Sequence, residues 1–234
     1  MRADPEVLES AAGHAFRNRD ILLRALTHTS YAYEKNLPLS DNEQLEFLGD
    51  SILGFLVSEY LIDRYPAYRE GRLSILKNFL VSASHLHEVA QKLELGEYLL
   101  LGRGEELSGG RVKKGLVADG VEALIAAIYL DGGAEEARRF VVRHILGETP
   151  AIAEYAESLF TNFKGALQEI ARTLNLPGPR YSVISEHGPA HARTFTVEVR
   201  IGNEWVAQAE GDSKKSAGQK AAQVILKQLM ARVE

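Results

Sequence analysis

Asn42-Glu43-Gln44-Leu45-Glu46-Phe47-Leu48-Gly49-Asp50-Ser51 is the stretch on which the fold turns. Glu46 and Asp50 stand four residues apart in an apolar run that continues through Ile52, Leu53 and Phe55. On a helix that spacing puts both carboxylates on one face. A second stretch, Asp119-Gly120-Val121-Glu122-Ala123-Leu124, sets Asp119 and Glu122 three apart and so on one face as well. Unpaired carboxylates among apolar neighbours are costly, and neither stretch carries a cation of its own. A bound hard cation is the simplest way to hold four such acids together. The two stretches therefore point to a metal-dependent enzyme.

Around them lies a chain of 234 residues, 45% hydrophobic and 25% charged, enough for one sizeable domain or a medium and a small one. Without cysteine it has no disulfide, no zinc–thiolate site and no thiol catalysis. Met1-Arg2-Ala3-Asp4-Pro5-Glu6 has no apolar signal core, and no run approaches the roughly 18 apolar residues of a membrane span. The expectation is a cytoplasmic protein without a membrane partner. The net charge of -5 is unevenly spread, because residues from Leu159 onward carry ten Lys and Arg against seven Asp and Glu. An acidic body followed by a basic recognition module fits that asymmetry.

Up to about Ile145 the apolar periodicity is helical. An early helix begins at Ile21, with Asn18 or Asp20 as its cap, and Ser40 with Glu43 fits a capping box for the helix running to about Arg64. Further helices are expected at 70–79, 84–92, 116–129 and 134–145, with a Gly- and charge-rich loop at 102–115 and a turn at Asp131-Gly132-Gly133. Residues 147–158, with Gly147 and Pro150, read as a linker between domains at 1–146 and 159–234. The period then changes. A helix over 163–174 is followed by strands at 180–186, 193–201 and 204–211, the second alternating Phe195, Val197, Val199 and Ile201 with polar residues. Gly202-Asn203 supplies a hairpin turn. Ser213 opens a last helix with the stripe Ala217, Ala221, Val224, Ile225 and Leu229. The fold class is an all-α domain followed by a small α+β domain of order α-β-β-β-α.

With these motifs in this order the chain resembles bacterial ribonuclease III over nearly its whole length. Asn42–Ser51 is similar to that family's signature block, and Ala118 to Ala123 to its second acidic block. Leu26-Thr27-His28-Thr29-Ser30-Tyr31 and Ile128-Tyr129-Leu130-Asp131 also fit. The C-terminal unit looks like a double-stranded-RNA-binding domain, including Gly188-Pro189-Ala190-His191 and Ser213-Lys214-Lys215. The resemblance implies a homodimeric endonuclease that hydrolyses both strands of double-stranded RNA, leaving 5′-phosphate and 3′-hydroxyl ends. It implies processing of ribosomal RNA precursors and structured messenger RNA, with magnesium, or manganese in its place, and no organic cofactor. Glu46, Asp50, Asp119 and Glu122 match the family's metal-site carboxylates, and Glu43 and Glu70 match two further acids of its catalytic valley. Phe47 matches a subunit-interface residue. For RNA, Gln168, Glu169 and Arg172 on the first helix of the module, His191 in the loop, and Ser213, Lys214, Lys215 and Gln219 at the last helix are the expected contacts.

The chain departs from the pattern at Gln44 and Arg172, and at Gly165 where a Thr often sits. Arg72, close to Glu70, is a further departure. Other readings of single residues stay open at this level. Glu43 also suits the capping box, and Phe47 also suits a core. His28 reads as a structural histidine. A di-iron bundle would want Glu-x-x-His motifs, which are absent from both acidic stretches.

Overall fold

The computed structural model describes residues 3–37, 40–147, 162–189 and 193–233, without the side chains of 169, 173 and 230–233. The chain divides into two compact units, one of Met1–Tyr68 with Leu76–Glu148 and the other of Arg69–Ile75 with Thr149–Glu234. The helices up to residue 147 are α1 (Pro5–Ala12), α2 (Arg19–Ala25), α3 (Thr29–Glu34), α4 (Glu43–Arg64), α5 (Glu70–Leu80), α6 (Ala83–Lys92), α7 (Leu95–Tyr98), α8 (Arg103–Leu107), α9 (Lys114–Gly132) and α10 (Ala134–Val141). Among the described residues no helix is long and apolar enough to cross a membrane.

The helix starts follow from side chains that take otherwise orphaned amides. Asp4 accepts from the Glu6 amide with Pro5 at the first helical position, Asn18 accepts from Asp20 N at 3.0 Å, and Ser82 accepts from His85 N at 3.3 Å. His28 caps α3, its side chain accepting from Ser30 N. The start of α4 departs from the expected capping box. Its cap is Asn42 rather than Ser40, and Asp41 Oδ1 accepts from Glu43 N at 3.3 Å. The expected loop at 102–115 instead holds α8 and a 3-10 turn at Gly110–Val112. Arg111 organises it, reaching both Glu106 carboxylate oxygens and the backbone carbonyls of Gly96 and Leu99. The turn expected at Asp131-Gly132 is still helical, and α9 is capped by Gly133 with φ 85°.

The centre of the first unit is α9, buried on nearly every side through Val117, Val121, Leu124, Ile125 and Ile128. Such an all-round apolar helix needs neighbours on all sides, and each fully buried Leu or Ile contributes about 1.5–3 kcal/mol. Leu45, Gly49, Leu53 and Leu56, the inner face of α4, pack against it. The two helices approach so closely at Gly49 that a Cβ there would overlap the backbone carbonyl of Glu122.

In the second unit, α11 (Phe163–Thr173) and α12 (Lys214–Val233) flank a sheet of β1 (Arg180–His187), β2 (Thr194–Ile201) and β3 (Trp205–Gly211). Both strand pairings are antiparallel, in the order β1-β2-β3, with Ile201 opposite Trp205 across the turn at Gly202 (φ 56°). A bulge falls between Val183 and Ser185, which bends the edge strand β1. Leu167, Ala171, Val199, Ile201, Ala221 and Ile225 form the core. Of the expected stripe on α12, Ala217, Ala221, Ile225 and Leu229 are buried, whereas Val224 is exposed. The linker expected at 147–158 lies outside the described residues apart from Gly147.

Candidate active site and RNA-binding surface

The contact at Gly49 is what assembles the acids. Glu46 lies a turn before it and Asp50 beside it on α4, while Glu122 supplies the opposing backbone on α9. Carboxylate oxygens of Glu46, Asp119 and Glu122, all half-buried, lie within 4.8 Å of one another. Asp50 is exposed at the edge of the group, close enough for its charge to act on both Glu122 and Glu46.

The electrostatics record the crowding. Burial, then the charges of Asp50, Asp119 and Glu46, push the Glu122 carboxyl up to about 8. Burial also raises Glu46, helped by Asp119, Glu43 and Asp50. Asp119 is raised by burial, against the opposing influence of His28. A hard divalent cation takes oxygen ligands of this kind, and the donor set of three carboxylates on two facing helices fits one. A cation entering there would compete with the Glu122 proton, and its affinity would rise with pH.

Glu43, also expected in the site, is less closely joined to it. Glu43 is exposed in the first turn of α4 and accepts from Thr29 Oγ1 at 3.2 Å. Its charge reaches Glu46. Glu70 opens α5 and accepts from Ser74 Oγ at 2.9 Å. It falls with the second compact unit, in Arg69–Ile75. Gln44, one of the departures from the family pattern, accepts from the Arg24 guanidinium at 2.7 Å, and Arg24 also donates to the Asp41 carbonyl at 3.1 Å. A cation from another helix thus stands beside it. Lys113 pairs with Glu105 at 2.5 Å and holds its carboxyl below the usual range.

Phe47, Phe55 and Ile62 are 78%, 60% and 62% exposed on α4. At 100° per residue they fall within an arc of about 80°. Phe47 is therefore not a core residue of this unit.

On the second unit Gln168 and Arg172 are exposed on α11, Lys214 and Lys215 are exposed in the first turn of α12, and Ser213 Oγ accepts from Ser216 N at 3.1 Å. Lys214 Nζ pairs with Glu186 Oε1 at 2.7 Å and lies 5.4 Å from the Phe195 ring centre. Gln219 is engaged within the fold. Its Oε1 accepts from Lys164 N at 2.9 Å and its Nε2 donates to Asn162 Oδ1 at 3.0 Å. His191 and the Glu169 side chain lie outside what is described. Reading the sequence alone missed the part played by Gly49. The signal was present, since a glycine between two carboxylates of a helix marks close backbone approach.

A helical unit with converging acids, followed by an α-β-β-β-α module with cations at a helix start, defines a two-part hydrolase of nucleic acid. Residues 18–149 match the Ribonuclease-III-like family and 163–229 the double-stranded RNA binding motif. A relative called Ribonuclease 3 in Solibacter usitatus is 56% identical, over 98% of this chain and 89% of its own length. The Ribonuclease 3 of Geobacter sulfurreducens is 43% identical, over 97% and 91%. Among solved structures, a nuclease domain of ribonuclease III from Campylobacter jejuni superimposes with a TM-score of 0.59 at 36% identity, covering 63% of this chain and 99% of that one. The chain belongs to the ribonuclease III family: it is an endoribonuclease with a double-stranded-RNA-binding module.

Proposed function

We propose that this endoribonuclease acts as a divalent-cation-dependent homodimer that cuts both strands of an RNA duplex, leaving 5′-phosphate and 3′-hydroxyl ends. The observation that carries the reading is the convergence of Glu46, Asp119 and Glu122 within 4.8 Å, with Glu122 pushed up to about 8. Glu46, Asp50, Asp119 and Glu122 would hold the cation. Magnesium, with manganese able to replace it, would supply Lewis acidity and charge neutralisation at the phosphoryl group. The chain's own part is to fix those oxygens on two rigid helices and to give up the Glu122 proton as the cation enters. Glu43 stands at the edge of the group, and Glu70 is carried as a wall residue on the family resemblance alone.

Cutting both strands at a fixed stagger calls for two sites related by a two-fold axis. The exposed stripe of Phe47, Phe55 and Ile62 supplies a self-complementary apolar face. The Campylobacter jejuni domain is itself described with a region involved in dimer formation. Gln168, Glu169, Arg172, His191, Ser213, Lys214 and Lys215 are proposed to meet the duplex. Such modules read the shape of about 16 base pairs across two minor grooves. Cytoplasmic action on ribosomal RNA precursors and structured messenger RNA, without an organic cofactor, follows from the resemblance.

Cleavage of a long perfect RNA duplex tests the reading, with magnesium, with calcium, and with Glu122→Gln in magnesium. Short 5′-phosphorylated products from the wild type with magnesium alone support it. Duplex binding without cleavage in magnesium or manganese overturns the cation-dependent mechanism.

A further inference from the structure

We propose that Lys164 is an RNA phosphate ligand, its ammonium delivered from α11 into the space that Gly218 leaves open on α12, where it extends the cationic edge begun by Lys214 and Lys215. A Cβ at position 218 would lie 3.2 Å from Lys164 Nζ and 3.5 Å from its Cδ and Cε. Position 218 is four residues after Lys214 and three after Lys215, so it shares their face of the helix. That face therefore carries a third ammonium, although the residue at 218 has no side chain. A cation built onto α12 itself would have to displace Lys164.

Two features hold the ammonium there. Its Nζ lies 3.9 Å from the centre of the Tyr181 ring, a cation–π contact that restrains the long side chain without neutralising it. The first turn of α11 is also strapped to α12 through Gln219, which takes the Lys164 amide and donates to Asn162, the cap of α11. Charge pairing separates Lys164 from its neighbour. Lys214 is held by Glu186, which a phosphate must displace, whereas among the described residues Lys164 is paired with no carboxylate. Lys164 is half-buried, its ammonium faces no carboxylate among the described residues, and a phosphate is the group that would complete it.

The proposal rests on the module's binding of duplex RNA, and the test separates the two. Association of the full chain with a long RNA duplex is measured in EDTA at several potassium chloride concentrations, for wild type, Lys164→Met, Lys164→Arg and the double variant Lys164→Met/Gly218→Lys. Each phosphate contact contributes about 0.9 to the slope of log K against log salt. Lys164→Met is expected to lower that slope by about one and to weaken binding several-fold at low salt. Lys164→Arg keeps both, and the double variant restores both by placing the charge from the other helix. An unchanged slope in Lys164→Met overturns the proposal. So does weaker binding that the double variant fails to restore, because loss of the Tyr181 contact would then be the cause. If wild type shows no salt-dependent duplex binding, the RNA-binding reading fails and this proposal with it.

Discussion

Replacing Glu122 by Gln should make the cation-free protein more stable while ending catalysis. The Glu122 carboxyl sits at about 8 in the fold, against an ordinary value near 4.5. Between those two pH values the unfolded chain has released the proton and the folded chain still holds it. The folded state then binds more protons, so stability falls as pH rises from about 4.5 to 8, and the penalty is fully developed above 8. Three and a half pKa units would correspond to about 5 kcal/mol at 1.36 kcal/mol per unit. Glu122 is only half-buried, and solvent screening reduces the cost to about 1–2 kcal/mol. The amide of Gln has the same shape and no proton to lose.

Thermal unfolding of the full chain in EDTA reads the effect. At pH 8 the midpoint of Glu122→Gln should exceed that of wild type by roughly 2–8 °C, using 2–4 °C per kcal/mol for a protein of this size. At pH 4.5 the difference should vanish. Excess magnesium should raise the wild-type midpoint by more than that of Glu122→Gln, because the cation replaces the proton only where there is a carboxylate to take it. A Glu122→Gln protein less stable than wild type in EDTA at pH 8, or a difference indifferent to pH, refutes the reasoning.

Gly49→Ala pushes a methyl into the Glu122 backbone. Overpacking of this kind costs about 1–3 kcal/mol or more, so the midpoint should drop together with the magnesium-induced shift, measured in the same scans. Phe47→Asp places a charge on the exposed apolar stripe. Sedimentation should show a folded monomer with little double-strand cleavage, and an unchanged dimer would remove Phe47 from the interface. Gln219→Leu loses two hydrogen bonds between α11 and α12. It should destabilise the second unit by about 1–2 kcal/mol, at roughly 1 kcal/mol per bond. A free RNA-contacting side chain would instead leave the midpoint alone and lower only the affinity.

The acids were legible in the sequence because their signal is local. Glu46 with Asp50 and Asp119 with Glu122 are polar pairs at helical spacing in apolar runs, and the runs bury what they predict. The switch to alternation at Phe195–Ile201 likewise marks β2 within a residue. What escaped depends on partners distant in the chain. The short helices of the 102–115 stretch are organised by Arg111 reaching back to Gly96 and Leu99, which no Gly-rich composition shows. Gln44 reads alone as a departure from the pattern, and only the fold shows Arg24 beside it. The charge there comes from another helix, which position-by-position reading does not show. The expected box at Ser40 failed for the opposite reason. Asp41 and Asn42 are equally able to cap, and only the path of the backbone into α4 chooses among them.

The same geometry argues for an enzyme over a scaffold that merely retains the acids. A scaffold gains nothing from three carboxylates forced within 4.8 Å on helices whose backbones touch. Neutral side chains there would be the more stable choice, by the reasoning applied to Glu122. The rigid α4–α9 contact also means the oxygens do not wait for a ligand to gather them. They are held in place at a standing cost in stability, which is what preorganisation for charge stabilisation requires. A chain that keeps both the crowding and the contact enforcing it fits the proposal that its acids are placed for a cation.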